Sequence, residues 1–168
     1  GCRSCSAPES FDTDLIAMAS GLRAKYESAM ETFAPHKALD EVFHVIQRAN
    51  KYIDETAPWA LAKDMEKNSA RLAHVLYNLL ETTRICGILL SPFMPESCDK
   101  LFAQIGAGAD VRTWDSAAAV GSMPANATLH KGENIFPSCA SMVKTGRKLT
   151  IVVIIAVLIA PDTSLTAL

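Results

Sequence analysis

The stretch "ALDEVFHVIQRANKYIDETAPWALAKD", residues 38–64, contains the features that decide the fold. Helical spacing of its apolar residues predicts a helix that ends near Asp54. Pro58 and Trp59 follow, and helical sequence then resumes. Trp59 is therefore expected at a helix junction, either as a core plug where two helices meet or as a platform presented to a ligand. The apolar stripe of the first helix is Leu39, Val42, Phe43, Ile46, Ala49 and Ile53.

The sequence before this stretch predicts another amphipathic helix. It begins at Phe11 with Asp12 as its N-cap, and Phe11 and Ile16 are placed as a hydrophobic staple. It should stop before Pro35, because a proline pushes the preceding residue out of helical geometry. Its apolar stripe is Leu15, Met18, Ala19, Leu22, Tyr26, Ala29, Met30 and Phe33.

Two further helices are predicted after the stretch. A long one runs from about Asn68 to Leu90, and a shorter one has Pro95 in its first turn and Gly106 as its C-cap. Short connections of this kind join antiparallel neighbours. The predicted fold is therefore all-α, an antiparallel helical bundle with an irregular C-terminal extension. The long helix carries one apolar face, with Leu72, Val75, Leu76, Leu79, Thr83, Cys86 and Leu90.

The chain divides into four parts by composition. We expect a disordered leader at 1–10, the helical bundle at 11–106, an irregular wrapping segment at 107–137 and an unassigned apolar tail at 138–168. The uncharged run from Leu149 to Ala160 is shorter than the about 20 residues that a membrane helix needs. It could form a buried strand, an added helix or an aggregation-prone segment, and no membrane association is expected.

Composition narrows the classes of function. The 168 residues are 49% hydrophobic and carry 16 basic and 18 acidic side chains, for a net charge of −2. A protein that binds nucleic acid regardless of sequence is usually strongly basic, so that class is disfavoured. A protein that recognises a few bases through a small local patch stays compatible with these values.

The sequence gives little indication of a metal site or a catalytic site. The five cysteines are odd in number and irregularly spaced, which argues against a disulfide framework and favours a reducing, cytoplasmic compartment, with an organelle as the alternative. Cys2 and Cys5 lack a second ligand pair for zinc, and Cys86 and Cys98 are expected in the core. No HExxH pair, phosphate-binding glycine loop or dinucleotide fingerprint is present, so no metal, cofactor or catalytic residue is predicted in this chain.

Basic residues surround Trp59 in the sequence. The candidate binding residues are Lys51, Lys63 and Arg48, and Lys67 and Arg71 share the same region. A cationic rim around an aromatic face suits single-stranded nucleic acid, because Lys and Arg contact phosphates and an unstacked base stacks on the ring. A solvated surface of mixed charge explains the same residues, since Asp54, Glu55, Asp64 and Glu66 lie among them.

Three linked motifs resemble one known family. The elements "ANKYIDETAPW", "YNLLE" and "LLSPFMPE" occur here in the order and spacing of the anticodon-binding domain of bacterial-type methionyl-tRNA synthetases. The resemblance runs from about Phe11 to Pro137, where "TWD" and "IFP" are similar to the family's endings. It covers most of the chain, and several linked motifs make it specific.

The resemblance implies a class I aminoacyl-tRNA synthetase anticodon-binding bundle. In that family the domain follows a catalytic domain that joins methionine to tRNA with ATP and Mg, and it reads the CAU anticodon. The Trp after the proline stacks on an anticodon base, so Pro58 and Trp59 are the carried-over positions. The implied partners are a methionine-specific tRNA, at its anticodon loop, and the enzyme's own catalytic domain. The oligomeric state is left open.

The departures from the family shape a second hypothesis. The HIGH-type and KMSKS-type ATP signatures and the zinc knuckle do not occur in these residues, and Ser138 replaces the family's Arg. Two anticodon-contacting residues of the family would precede Phe11. The 168 residues are thus expected not to aminoacylate tRNA by themselves. The alternative function is a non-catalytic helical interaction module without RNA binding.

Overall fold

The computed structural model describes residues 10–124, 127, 129 and 130. The α-helices along these residues are α1 Ser10–Glu31, α2 Pro35–Thr56, α3 Pro58–Leu61, α4 Met65–Leu90 and α5 Pro95–Gln104. Two 3₁₀ turns follow, Ala109–Val111 and Asp115–Ala118. No strand occurs in the part of the chain that is described, and the all-α prediction is confirmed.

The helices α1, α2 and α4 pack against one another around one core. Residues 32–34 join α1 to α2, and a connection this short makes the two helices antiparallel. Each long helix turns one apolar stripe toward the other two, and burying those stripes is what stabilises the bundle. The side chains that lose all contact with solvent include Leu15, Leu22, Val42, Val75, Leu79, Ile85 and Leu89.

Prolines set the helix boundaries. Pro35, Pro58 and Pro95 each begin a helix, where the missing N–H has no intrahelical partner to lose. The predicted boundaries are close: α2 continues to Thr56 instead of Asp54, and α4 begins at Met65 instead of Asn68. After α5, the left-handed φ of 65° at Gly106 agrees with its predicted role as a helix-ending glycine.

The C-terminal half of α4 is buried on every side, which a single apolar face did not predict. All residues from 78 to 90 are buried, including the polar Asn78, Thr82 and Thr83. The reason is that α1, α2 and α5 and the turn at Asp115–Ala118 all pack on α4. The predicted burial of Cys86 and Cys98 is confirmed.

Four expectations about individual residues were wrong. Asp12 is not an N-cap, because α1 already begins at Ser10 and the Asp12 side chain is fully buried inside the bundle. Met30 and Phe43 are partly exposed at the edges of their stripes, and Phe33 is 95% exposed. Phe33 lies after the end of α1 with a φ of 54°, so it no longer follows the helical phase that predicted its burial.

The irregular segment after α5 packs on α4 and also returns to the end of α5, as far as the structure describes it. His130 donates its backbone N–H to the Gln104 carbonyl at 2.8 Å. The four-part domain division stays a prediction, and its leader up to residue 9, residues 131–137 and the tail at 138–168 lie outside the described residues. Among the described helices, none is long and apolar enough to cross a membrane.

Candidate nucleic-acid interface

The corner between α2 and α4 presents Trp59. Pro58 is buried, whereas the next side chain, Trp59, is 45% exposed. Of the two alternatives for Trp59, a core plug or an exposed platform, the structure agrees with the second. Pro58 packs inward against the bundle, and Trp59 exposes ring surface to solvent. At the same end of the bundle, Tyr52 is fully buried and Phe11 is 37% exposed, so Trp59 is the most exposed of these three aromatic rings.

Backbone geometry at Ala57 creates this arrangement. Ala57 has a left-handed conformation, with φ 43° and ψ 59°, and it donates its N–H to the Ile53 carbonyl at 2.9 Å. Proline at 58 keeps the preceding residue out of the right-handed helical region, so α2 must end at this point. The carbonyl of Ala57 then accepts the Ala60 N–H at 2.7 Å and starts α3. A small residue is suited to position 57, because a large side chain would add to the strain of the left-handed conformation.

The three predicted basic residues differ in how they are held. Lys51 is exposed over 72% of its side chain, and its Nζ lies 3.6 Å from Glu55 Oε1. Lys63 is exposed and makes no ion pair with a described residue. Arg48 is different: only 14% of its side chain is exposed, and its Nη1 lies 3.0 Å from Glu55 Oε2. Exposed lysine side chains can move toward a phosphate, whereas the guanidinium of Arg48 is held in its ion pair with Glu55.

Arg48 connects α2 to the first turn of α1. Its Nη2 donates to the Phe11 carbonyl at 3.4 Å and lies 4.0 Å from Asp14 Oδ2. Glu55 forms ion pairs with both Arg48 and Lys51. Because the guanidinium is shared among three protein oxygens, Arg48 stabilises this end of the bundle.

A buried polar cluster lies beneath this end of the bundle, and sequence reasoning missed it. The Tyr52 hydroxyl donates to Asp12 Oδ1, and Arg71 Nη1 donates to Asp12 Oδ2 at 2.6 Å. Asn78 Nδ2 donates to the Tyr52 hydroxyl at 3.3 Å. Burial and the adjacent Asp12 carboxylate raise the pKa of Tyr52 above its ordinary range. A signal was present in the sequence: Asp12 precedes Leu15, Ala19 and Leu22 at helical spacing, so it falls on the apolar face.

No group of three metal-ligating side chains occurs in the described part of the chain. Of the four histidines, His74 lies nearest to the buried cluster, with its Nδ1 3.8 Å from Asp12 Oδ2 and 3.4 Å from Arg71 Nη1. The contact between Arg71 Nη1 and Asp12 Oδ2, at 2.6 Å, is shorter than the one from His74. His74 therefore borders the cluster, and it is not assigned as a metal ligand. Cys2, Cys5 and Cys139 lie outside the described residues.

The sequence of this chain matches a known family of protein domains. A family model described as the anticodon binding domain of methionyl tRNA ligase matches residues 4–161. The chain therefore belongs to this family of anticodon-binding domains, and the resemblance inferred from the sequence motifs is confirmed. The match is wider than the predicted limits of Phe11 and Pro137.

The individual proteins to which the chain is similar are methionine–tRNA ligases. The chain is 46% identical over 132 residues to a methionine–tRNA ligase of Caldanaerobacter subterraneus subsp. tengcongensis, covering 79% of the chain and 20% of the relative. It is 44% identical over 131 residues to that of Clostridium tetani, with 78% and 20% covered. The chain thus spans about one fifth of the length of these relatives.

A solved structure shares the fold. The methionyl-tRNA synthetase of Mycobacterium tuberculosis, bound by methionyl-adenylate, is 30% identical and superimposes with a TM-score of 0.72. The superposition covers 80% of this chain and 26% of that one. The methionyl-adenylate named for that structure belongs to the longer synthetase.

Proposed function

We propose that this chain recognises the anticodon loop of a methionine-specific tRNA as the anticodon-binding part of a methionine–tRNA ligase. The longer ligase would attach methionine to tRNA with ATP and Mg, and the 168 residues would contribute recognition and no catalytic residue. Membership of the anticodon-binding family supports recognition of tRNA. The more specific statement, that the anticodon loop is read at the α2–α4 corner, depends on the geometry of that corner.

The exposed ring of Trp59 carries the proposal. A flat indole face held beside a buried proline can stack on an unpaired base, which is worth about 1–3 kcal/mol for one base. Pro58, the first residue of α3, occupies the inward position at this corner, and Trp59 is left exposed. Lys51 and Lys63 are exposed on the chain segments before and after the ring, where their charges attract the RNA backbone.

The role of Arg48 is narrower in this proposal. Its contacts with Glu55, Asp14 and the Phe11 carbonyl orient the end of the bundle. A phosphate that approaches Lys51 would also approach Glu55, and the two cations Arg48 and Lys51 offset that negative charge. Arg48 thus supports the interface mainly by neutralising Glu55 and by holding α2 against α1.

The test is binding of an RNA stem–loop that carries the CAU anticodon, measured by fluorescence anisotropy at fixed salt. Trp59→Ala should weaken binding by about tenfold or more, in line with the loss of one stacked base, and Trp59→Phe should recover part of it. The matched control is Trp114→Phe, because Trp114 is similarly exposed but its ring contacts Tyr26 and Arg23 on α1. An unchanged affinity for Trp59→Ala would overturn the site.

A helical interaction module without RNA binding is the second candidate, and one observation favours it. Phe33 is 95% exposed and Phe93 is 40% exposed, both in connections at the end of the bundle opposite Trp59. Exposed aromatic side chains are enriched where proteins contact one another. Native mass spectrometry that shows a dimer abolished by Phe33→Ser, together with no binding of the CAU stem–loop, would favour this function over tRNA recognition.

A further inference from the structure

One buried carboxylate links the two helices that flank the Trp59 corner. Asp12, in the first turns of α1, is fully buried and uses a different oxygen for each neighbour. Oδ1 accepts from the Tyr52 hydroxyl near the end of α2, and Oδ2 accepts from Arg71 Nη1 near the start of α4, at 2.6 Å. Tyr52 and Arg71 therefore lie on the two sides of the corner, and Asp12 joins them.

The corner needs such a connection because its backbone is strained. Ala57 holds a left-handed conformation although it has a Cβ atom. A residue in this region persists only where the surrounding structure determines it. The direct backbone bonds at the corner, from Ala57 to Ile53 and from Ala60 to Ala57, are local and do not fix α2 relative to α4. The side-chain cluster adds a directed long-range constraint to the apolar packing of α2 against α4.

We propose that Asp12, Tyr52 and Arg71 are positioning residues for RNA recognition, which hold α2 and α4 at the separation that presents Trp59. The inference rests on the proposed function, because it concerns how the same site is oriented. Asp12 and Tyr52 are fully buried, so their effect on binding would act through exposed residues of the corner, above all Trp59. A platform that is already oriented binds more tightly, because less conformational freedom is lost on association.

The cluster is distinct from ordinary core packing in one respect. The hydrogen bonds from a hydroxyl and a guanidinium to one carboxylate have a defined direction, which apolar contacts lack. Tyr52 also accepts from Asn78 Nδ2 at 3.3 Å, so α4 contacts the cluster at two places. Removing the hydroxyl of Tyr52 while keeping its ring should therefore weaken the constraint on the orientation of α2 relative to α4. Most of the apolar packing of the ring should be preserved.

The experiment compares Tyr52→Phe and Arg71→Met with the unchanged 168-residue chain. Affinity for the CAU stem–loop is measured at a temperature where circular dichroism shows each variant folded. We expect binding to weaken by about threefold to tenfold, the range set by ordering one or two side chains on association. Quenching of Trp59 by acrylamide, in a Trp114→Phe background, should change in the same variants, and Arg71→Lys should restore part of both.

Ser116→Ala is the control for a purely structural effect. Ser116 Oγ accepts from the buried Arg84 at 3.0 Å, and Arg84 lies about 28 Å along α4 from Met65. This variant also disturbs a buried polar cluster, but far from the corner, and should leave RNA affinity and Trp59 quenching unchanged. If Ser116→Ala weakened binding as much as Tyr52→Phe did, the positioning role would be overturned.

Parallel measurement of Trp59→Ala separates the two proposals. If Trp59→Ala loses binding while Tyr52→Phe and Arg71→Met retain it, the positioning role is overturned and the proposed function stands. If Trp59→Ala binds normally, the proposed site fails. In that case the quenching of Trp59 still tests the cluster, and quenching that does not change in either variant overturns the inference.

Discussion

Arg84 and Glu81 form an ion pair in which both side chains are fully buried, with 2.8 Å between Nη2 and Oε2. The same guanidinium donates to the carbonyls of Val111, Ser116 and Ala119, each at 3.1 Å. Glu81 accepts the backbone N–H of Met123. The pair therefore fastens the irregular segment at 107–123 to α4.

Replacing one partner of this pair should strongly destabilise the protein. Arg84→Met leaves the Glu81 carboxylate and several carbonyls buried without their donor, and we expect a loss of about 3–5 kcal/mol in the free energy of unfolding. Urea denaturation followed by circular dichroism measures it. The double variant Glu81→Met with Arg84→Met should lose less than the two single losses added together. Strict additivity would contradict the coupling of the two charges.

Gly87→Ala should weaken the packing of α5 on α4. A Cβ atom at position 87 would lie 3.0 Å from Leu101 Cδ2 and 3.0 Å from Phe102 Cε1. We expect overpacking to cost about 1–3 kcal/mol, measured as a lower urea midpoint. Gly21→Ala is the matched control on α1, where a Cβ meets nothing within 4 Å. That change should stabilise by about 0.5–1 kcal/mol, because alanine favours a helix interior.

Stability should fall at alkaline pH. Burial raises the pKa of the Cys86 thiol from 9.0 to about 12, and burial with the Asp12 contact raises the pKa of Tyr52 above 10.0. Both groups keep their protons longer in the folded state, so their stabilisation is complete below about pH 9 and declines as the pH rises further. Urea midpoints from about pH 8 to pH 11 measure this decline.

Two variants test the assignment of that alkaline decline. Cys86→Ala and Tyr52→Phe should each flatten the curve, although each lowers stability at neutral pH. A control is His36→Gln, since His36 lies exposed in the first turn of α2, away from both buried groups. An alkaline slope that is the same in all three variants would show that other groups cause the decline.

Lys51 and Lys63 should contribute to the salt dependence of RNA binding. Each exposed lysine that contacts a single-stranded phosphate adds about 0.7 to the slope of log affinity against log salt. Lys51→Gln with Lys63→Gln should reduce that slope by about 1.4 and leave the urea midpoint nearly unchanged. Arg48→Gln, by contrast, should lower the urea midpoint, because it removes contacts with Glu55 and the Phe11 carbonyl. An unchanged slope in the double lysine variant would exclude phosphate contacts there.

Most of the helices could be predicted because helix formation is local. Periodic apolar residues and the prolines at 35, 58 and 95 set where α2, α3 and α5 begin. Predictions failed where a side chain depends on distant neighbours. Phe33 continues the spacing of α1 but lies beyond its end, and the burial of α4 on all sides requires α5 and the 107–123 segment to pack against it.

The candidate site was only partly predictable for the same reason. Pro58 and Trp59 are adjacent in the sequence, so the position of the helix junction could be predicted, but not which of the two side chains is buried. The cluster of Asp12, Tyr52 and Arg71 spans three helices, and no sequence spacing indicates that these three side chains meet. Asp12 in particular matched an N-cap pattern, since a carboxylate near a helix start is common there.

The sequence by itself determined that this chain is helical, that it breaks at Pro58, and that it belongs with the anticodon-binding domains of methionyl-tRNA ligases. These properties depend on local periodicity and on motifs of adjacent residues. Only the tertiary structure decided that Trp59 is exposed while Pro58 is buried, that Arg48 is held by Glu55, and that one carboxylate joins α2 to α4. The reason is that burial and charge pairing depend on which side chains meet across helices, and helical spacing alone does not specify those meetings.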